Sequence, residues 1–242
     1  MLRKATVLAS VLVFGATTAG AFGASGGTPF GAREIVGCTS GAGPAVTSGP
    51  PGGAAVALTF DDGPSTVYTP RILAILDRLG AKATFFEEGR HVAGREALMR
   101  RILASGDEIG NHSFSHPRDP GFAQLTSTDR LVHAATGFTP CLFRPPYGLT
   151  DPKVEEAARR VSLRTILWSV DSGDDKHSGA AAIRARVLGL AGPGSIVLMH
   201  DGGHHPQAVA ALPGVVEGLR ASGLRLETVT ELLGGHFLYR GR

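Results

Sequence analysis

Short unbroken apolar runs alternate along this chain with longer stretches in which apolar residues recur every three or four positions. Residues 54–60 run apolar into Asp61-Asp62-Gly63-Pro64, which reads as a buried strand ending in two acids and a turn. From there the pattern predicts helices over 68–79 and 95–104, strands over 83–86 and 108–111, and a weaker helix over 126–136. A strand at 142–144 follows. Asp151 then caps a helix to Arg160, with Pro152 at the first position, where its missing N–H costs nothing. Strands over 165–168, 195–199 and 224–228 alternate with helices over 180–190 and around 209–219. This alternation is the signature of an α/β fold, a distorted (β/α) barrel with about seven parallel strands. An open doubly wound sheet is the alternative, but no Gly-x-Gly-x-x-Gly follows the first strand. In both, ligands gather at the C-terminal strand ends.

The two ends of the chain change this picture. Arg3-Lys4, an apolar stretch over 5–16 and Ala19-Gly20-Ala21 form the pattern of a cleaved secretory signal peptide over 1–21, the apolar stretch being too short to span a bilayer. The expected destination is extracellular, free or associated with the cell wall, with no membrane contact after cleavage. Residues 22–53 are rich in Gly, Ser and Pro, a barrel domain is expected over 54–235, and 236–242 reads as a tail. Loss of the two cations Arg3 and Lys4 takes the formal charge from +3 to +1. That balance, without a basic patch interleaved with aromatics, points away from nucleic acid. In an oxidising compartment the only two cysteines, Cys38 and Cys141, are a candidate disulfide tying the N-terminal segment to the barrel. Two free buried thiols are the alternative.

The polar residues that could do chemistry fall at the predicted strand ends. Asp61 and Asp62 follow the first strand, His112 and His116 the third, Arg144 to Tyr147 the fourth, Asp171 and Asp174 the fifth, His200-Asp201 the sixth. Alternation along a strand sends Asp61 and Asp62 in different directions, one suited to a cation and one to a proton. A solvated turn would also contain Asp-Asp-Gly-Pro. His112 and His116, four residues apart, would share one side of a helical turn and could share a metal, although two surface histidines meet the same spacing. With Asp62 they make an Asp-His-His set with open positions, suited to a divalent cation: zinc first, then cobalt, nickel or manganese. Asp61, beside that set, could accept a proton from water.

Thr59-Phe60-Asp61-Asp62-Gly63-Pro64, His112-Ser113-Phe114-Ser115-His116, Arg144-Pro145-Pro146-Tyr147-Gly148, the run from Trp168 to Asp174 and the run from Ile196 to Gly202 closely resemble, in order, the five motifs of the polysaccharide deacetylases, carbohydrate esterase family 4. The resemblance covers about residues 55–233. It implies a secreted, monomeric, metal-dependent hydrolase that removes N-acetyl groups from amino-sugar polymers such as peptidoglycan or chitin oligosaccharides. Asp61 would be the general base, and Asp62, His112 and His116 the metal ligands. Arg144 would orient Asp61, for which a guanidinium fork suits better than lysine. The backbone N–H of Tyr147 would stabilise the oxyanion, on a loop stiffened by Pro145 and Pro146. His200 would protonate the leaving amine, kept cationic by Asp174, while Leu198, Tyr147 and Pro146 would contact substrate.

Asp175 stands where the family commonly has a tryptophan lining the acetyl groove, which implies a more open or more polar groove. Residues 124–136 also look shorter than the usual helix there. Three rivals remain: an O-acetyl xylan esterase of the same chemistry, a catalytically silent sugar-binding barrel that keeps the metal, and a two-carboxylate glycosidase. The second predicts a missing acid or base, yet Asp61 and His200 are both present; the third leaves the histidine pair without a role. His91, His133, His177 and His236 read as surface or supporting residues, His204-His205 as loop lining, and Trp168 as barrel core.

Overall fold

The protein is described by a computed structural model over residues 34–39, 43–176 and 178–240, so the expected signal segment and His177 lie outside the described residues. A parallel sheet carries the fold. It is built from β2 (Ala55–Asp61), β3 (Ala83–Glu87), β4 (Glu108–Asn111), β5 (Leu142–Phe143), β6 (Arg164–Thr165), β7 (Val170–Asp171) and β8 (Ile196–His200), in the order β6-β5-β4-β3-β2-β8-β7. A short β9 (Arg225–Leu226) pairs with the start of β2 beside that path. The helices that connect the strands are α1 (Thr69–Leu79), α2 (Gly89–Val92), α3 (Glu96–Ala104), α4 (Phe122–Thr136), α5 (Pro152–Arg160), α6 (Ala180–Leu190), α7 (Pro206–Ala221) and α8 (Val229–Leu232). This is the expected distorted (β/α) barrel, its seven-strand sheet curled but not hydrogen-bonded shut. Among the described residues no helix is long and apolar enough to cross a membrane.

Strand alternation decides what faces where. Val56, Leu58 and Phe60 of β2, Phe85 of β3, Ile109 of β4 and Val197 and Met199 of β8 pack outward against Ile72, Leu73 and Leu76 of α1, Met99 and Ile102 of α3, Ile183 and Val187 of α6 and the apolar face of α7. Each such fully buried side chain contributes roughly 1.5–3 kcal/mol. The intervening residues Ala55 and Ala57 of β2, Phe86 of β3 and Ile196 of β8 form the smaller inner core with Leu142 and Ile166. By the same period of two, Asp61 and His200 fall on the inner face at the strand ends.

Several elements depart from the sequence pattern. The strand expected over 165–168 is two strands: β6 pairs with β5, and β7 pairs with β8. The chain between them holds Val46 in a parallel bridge at Ile166, with Leu167 N donating to Val46 O at 2.7 Å. The helix expected from Thr126 starts four residues earlier, at Phe122, and is 15 residues long. The last expected strand shrinks to β9, and α8 follows behind a Thr228–Glu231 capping box.

A separate two-stranded antiparallel sheet joins β1 (Ile35–Thr39) to β10 (His236–Tyr239). The apolar pattern predicts neither strand, because each buries a single residue, Gly37 and Phe237. Cys38 within β1 is disulfide-bonded to Cys141, which immediately precedes β5 and lies 103 residues away in sequence. Replacing both cysteines by serine is expected to lower stability by roughly 2–4 kcal/mol, read as a lower urea midpoint. An unchanged midpoint would mean that β1–β10 pairing holds this segment unaided.

Candidate active site

Arg144 sits fully buried just beyond β5, inside the barrel. Its Nη1 donates to Asp61 Oδ1 and to Thr59 Oγ1, each at 2.7 Å; Nε and Nη2 donate to the carbonyls of Ile166 and Leu167 at 3.2 and 3.0 Å. The guanidinium also lies 4.1 Å from the Phe86 ring centroid. Every face of the cation is therefore matched by an acceptor or an aromatic face. The Arg144 carbonyl accepts from His112 Nδ1 at 2.7 Å, and that fixes the tautomer in which His112 Nε2 carries a free lone pair.

Asp62 turns away from Asp61 because its backbone is left-handed, with φ 73°, rather than because the strand continues. Its carboxylate reaches the imidazole pair: Oδ1 lies 3.3 Å from His112 Nε2 and 3.4 Å from His116 Nε2, and one ligand atom from each of the three residues lies within 4.8 Å of the others. Asp62 Oδ1 is nevertheless buried without a hydrogen-bond partner. A buried carboxylate oxygen left unpaired between two imidazole nitrogens is costly unless a cation fills the gap. One carboxylate and two imidazoles are a donor set that fits a divalent transition metal. Among the described residues the other cluster of potential donors, Cys38, Glu108 and Cys141, has both sulfurs in the disulfide.

His112 and His116 do not share a helical turn. They belong to an irregular loop after β4 in which Ser113 and His116 both have positive φ, at 65° and 59°. Side chains hold that loop. Asn111 Oδ1 accepts from Ser113 N at 2.7 Å, Gln124 Oε1 accepts from Phe114 N and Ser115 N at 3.0 and 2.9 Å, and Ser113 Oγ accepts from His116 N at 3.1 Å. Burial raises the Asp62 carboxyl, but the short contact with His112 and the charges of His112, His200 and His116 outweigh it and hold the acid well below the usual range. Burial lowers His112, and Asp61 and Asp62 more than reverse it. His116 is lowered by burial and by His112.

Opposite this set, His200 is held by Asp174. Burial pushes the imidazole down, yet the 2.9 Å contact from its Nδ1 to Asp174 Oδ1, with the charges of Asp174, Asp61 and Asp62, pushes it up to about 9. Asp174 is buried and fixed by the His200 backbone N–H at 2.8 Å and by Ser172 Oγ at 3.0 Å. Tyr147 lies in a tight turn with φ 59° and gives its N–H to no partner among the described residues; the residue is 58% exposed, with its ring edge-on to His116.

Asp61, Asp62, His112, His116, Tyr147 and His200 line one cleft of about 360 Å³, walled also by Leu198, Trp168 and Asp175, while Arg144 and Asp174 support it from behind. Two placements differ from the sequence reading. Trp168 faces this cleft as well as the core, and Pro145 rather than Pro146 lines it. Glu87, which no motif singles out, and Asp201, grouped by sequence with the strand-end acids, are both buried behind the Asp62 turn, where a Cβ on Gly63 would fall 2.5 and 2.3 Å from their carboxylates. Burial raises both, Asp201 to about 7, with Thr69 Oγ1 donating to Asp201 Oδ2. His91 is a supporting residue: its Nδ1 donates to the Asp62 carbonyl at 3.1 Å.

The profile of the family described as polysaccharide deacetylase matches residues 48–166. Peptidoglycan-N-acetylglucosamine deacetylase PgdA of Listeria monocytogenes is 38% identical over 185 residues, which are 74% of this chain and 39% of that protein. The chain thus spans well under half of that relative's length. Chitooligosaccharide deacetylase of Sinorhizobium fredii is 33% identical, over 74% of this chain and 92% of that protein. Among solved structures, the Bc1960 peptidoglycan N-acetylglucosamine deacetylase matches with a TM-score of 0.75 and 35% identity, over 78% of this chain and 92% of that one. A carbohydrate esterase family 4 pseudoenzyme from Bacillus anthracis matches with a TM-score of 0.73 and 34% identity, over 78% and 68%. Similarity at this level, carried through nearly the full length of two of these proteins, has one reading: the chain belongs to the polysaccharide deacetylase family.

Proposed function

We propose that this protein is an exported, monomeric, metal-dependent N-deacetylase of amino-sugar polymers, peptidoglycan or chitin oligosaccharides, with zinc as the first candidate metal. The observation that carries the reading is the unpaired, buried Asp62 Oδ1 between His112 and His116, with the Asp61–Arg144 pair alongside. The export part rests on the Met1-to-Ala21 pattern.

When bound, a divalent cation supplies Lewis acidity to an acetyl carbonyl and acidity to an attacking water. The protein residues do the rest. Arg144 occupies Asp61 Oδ1 and leaves Oδ2, on the side of His112, free to take the proton of that water. The uncommitted Tyr147 N–H is available to the oxyanion that forms at the acetyl carbon, on a turn already fixed by Gly148 N donating to Pro145 O. His200, protonated against Asp174, donates to the departing nitrogen. Leu198 and Trp168 supply apolar surface for the acetyl methyl.

An inert barrel is a real alternative, because the Bacillus anthracis relative is a pseudoenzyme, a mutant of which has restored activity. Here the base, the acid and the metal-ligand set are all present and mutually aligned, which favours activity.

Three outcomes are expected. Asp61→Asn should cut acetate release by about a thousandfold while metal content, read by elemental analysis, stays near one per chain; loss of metal would mean the two acids have exchanged roles. Because His200 sits above the ordinary value of 6.5, its pair with Asp174 stabilises the fold fully below about pH 6.5 and loses that contribution as pH rises through about 9. Asp174→Asn should therefore bring the His200 titration, followed by imidazole NMR on metal-free protein, back toward 6.5, and an unmoved titration would remove Asp174 from that role. Wild-type protein should release acetate from chitooligosaccharides or peptidoglycan fragments and stop when chelated. Release from acetylated xylan alone would favour the esterase.

A further inference from the structure

Asp62 also lines a second, smaller recess of about 150 Å³, formed with Ser65, Thr66, His91, Arg95, Gly202 and Gly203. Arg95 is anchored by Nη1 donating to the His91 carbonyl at 2.7 Å, its Nε is buried without a partner, and among the described residues no carboxylate pairs with it. One guanidinium therefore lines the recess with no carboxylate at ion-pair distance among the described residues. The single acid there, Asp62, has Oδ1 directed between His112 and His116. The floor is backbone: a Cβ at Gly202 would fall 2.2 Å from the Asp62 carbonyl, and Gly203 has φ 59°. Ser65 and Thr66 also line it; Ser65 Oγ accepts from the Val67 and Tyr68 N–H groups and keeps its own proton to donate. A planar guanidinium beside hydroxyl donors, in a space below that of a whole ligand pocket, suits a carboxylate substituent better than a neutral sugar ring.

We propose that this recess is a subsite for a carboxylate carried by the sugar next to the one being deacetylated. The site would then favour a lactyl-bearing amino-sugar polymer of the peptidoglycan type over a neutral chitin type. The carboxylate can be that of the lactyl ether or of the first residue of a peptide attached to it. The inference rests on the deacetylase reading and refines its substrate.

The test measures binding and turnover with the metal-loaded full chain. The probes are N-acetylglucosaminyl-N-acetylmuramic acid, its lactyl methyl ester, the same disaccharide bearing a dipeptide, and diacetylchitobiose. By calorimetry the free acid should bind about tenfold tighter than its methyl ester, the size of one charge-assisted contact. Arg95→Gln should bring that ratio close to one, and Arg95→Lys should restore part of it. An Arg95-dependent gain confined to the dipeptide probe would assign the contact to the peptide carboxylate. A wild-type ratio near one with both acidic probes, or a ratio that survives Arg95→Gln, would overturn the subsite. Acetate release with no charge-dependent ratio would defeat the subsite alone; a ratio without acetate release from any probe would defeat the deacetylase reading and leave the subsite standing.

Discussion

A guanidinium with no exposed surface holds this site together. Taking an ion of that size out of water costs several kcal/mol, and the cost is offset only if nearly every donor finds a partner. Arg144 meets that condition by joining four parts of the chain: Thr59 and Asp61 on β2, Phe86 on β3, the carbonyls at Ile166 and Leu167, and, through its own carbonyl, His112 after β4. The orientation of the base and the tautomer of one metal ligand are thus set by one residue. Lysine has neither the fork nor the planar face to reproduce this arrangement.

The same region concentrates backbone strain. Among the described residues Asp62, Ser113, His116, Tyr147 and Ser162 are the non-glycine residues with positive φ, and the first four lie at the cleft or in the loop that shapes it. Each such conformation costs on the order of 1–2 kcal/mol and persists only where the surroundings over-determine it. Here Asn111, Gln124 and Ser113 side chains satisfy the loop N–H groups, while Gly63 and Gly202 allow chain segments to approach where any Cβ would collide. Behind them lie Glu87 and Asp201, both raised by burial and by the neighbouring carboxylates.

Most of the barrel was legible because its strands are buried on both faces and therefore read as unbroken apolar runs, and because parallel topology sends every strand end to one side. That is why Asp61, His112, Arg144 and His200 group together on the sequence alone. The β1–β10 pair was not legible, since one buried residue per strand leaves no periodic signal. Helical spacing misled at His112 and His116, where side-chain hydrogen bonds from Asn111 and Gln124, set by tertiary contacts, win over local propensity. Trp168 reads as core because it ends an apolar run; it does pack against the inner core, but so near the end of the barrel that the indole also lines the cleft. Arg95, His91 and the recess they form sit on no motif at all and emerge only once α2 and the Gly202 loop come together.

The division between β6 and β7 has a consequence for how the molecule is assembled. Both margins of the sheet belong to a single stretch of eight residues, Arg164 to Asp171, so the chain itself forms the seam. One half of that seam can dock on β5 as soon as it is made, but the other must wait for β8, which comes later in sequence. Docking of β7 on β8 is therefore a contact of longer sequence range than docking of β6 on β5, and the segment around Val46 and Ser48, bridged to Ile166 on one margin and to Ser195 beside the other, spans the gap that the two margins leave.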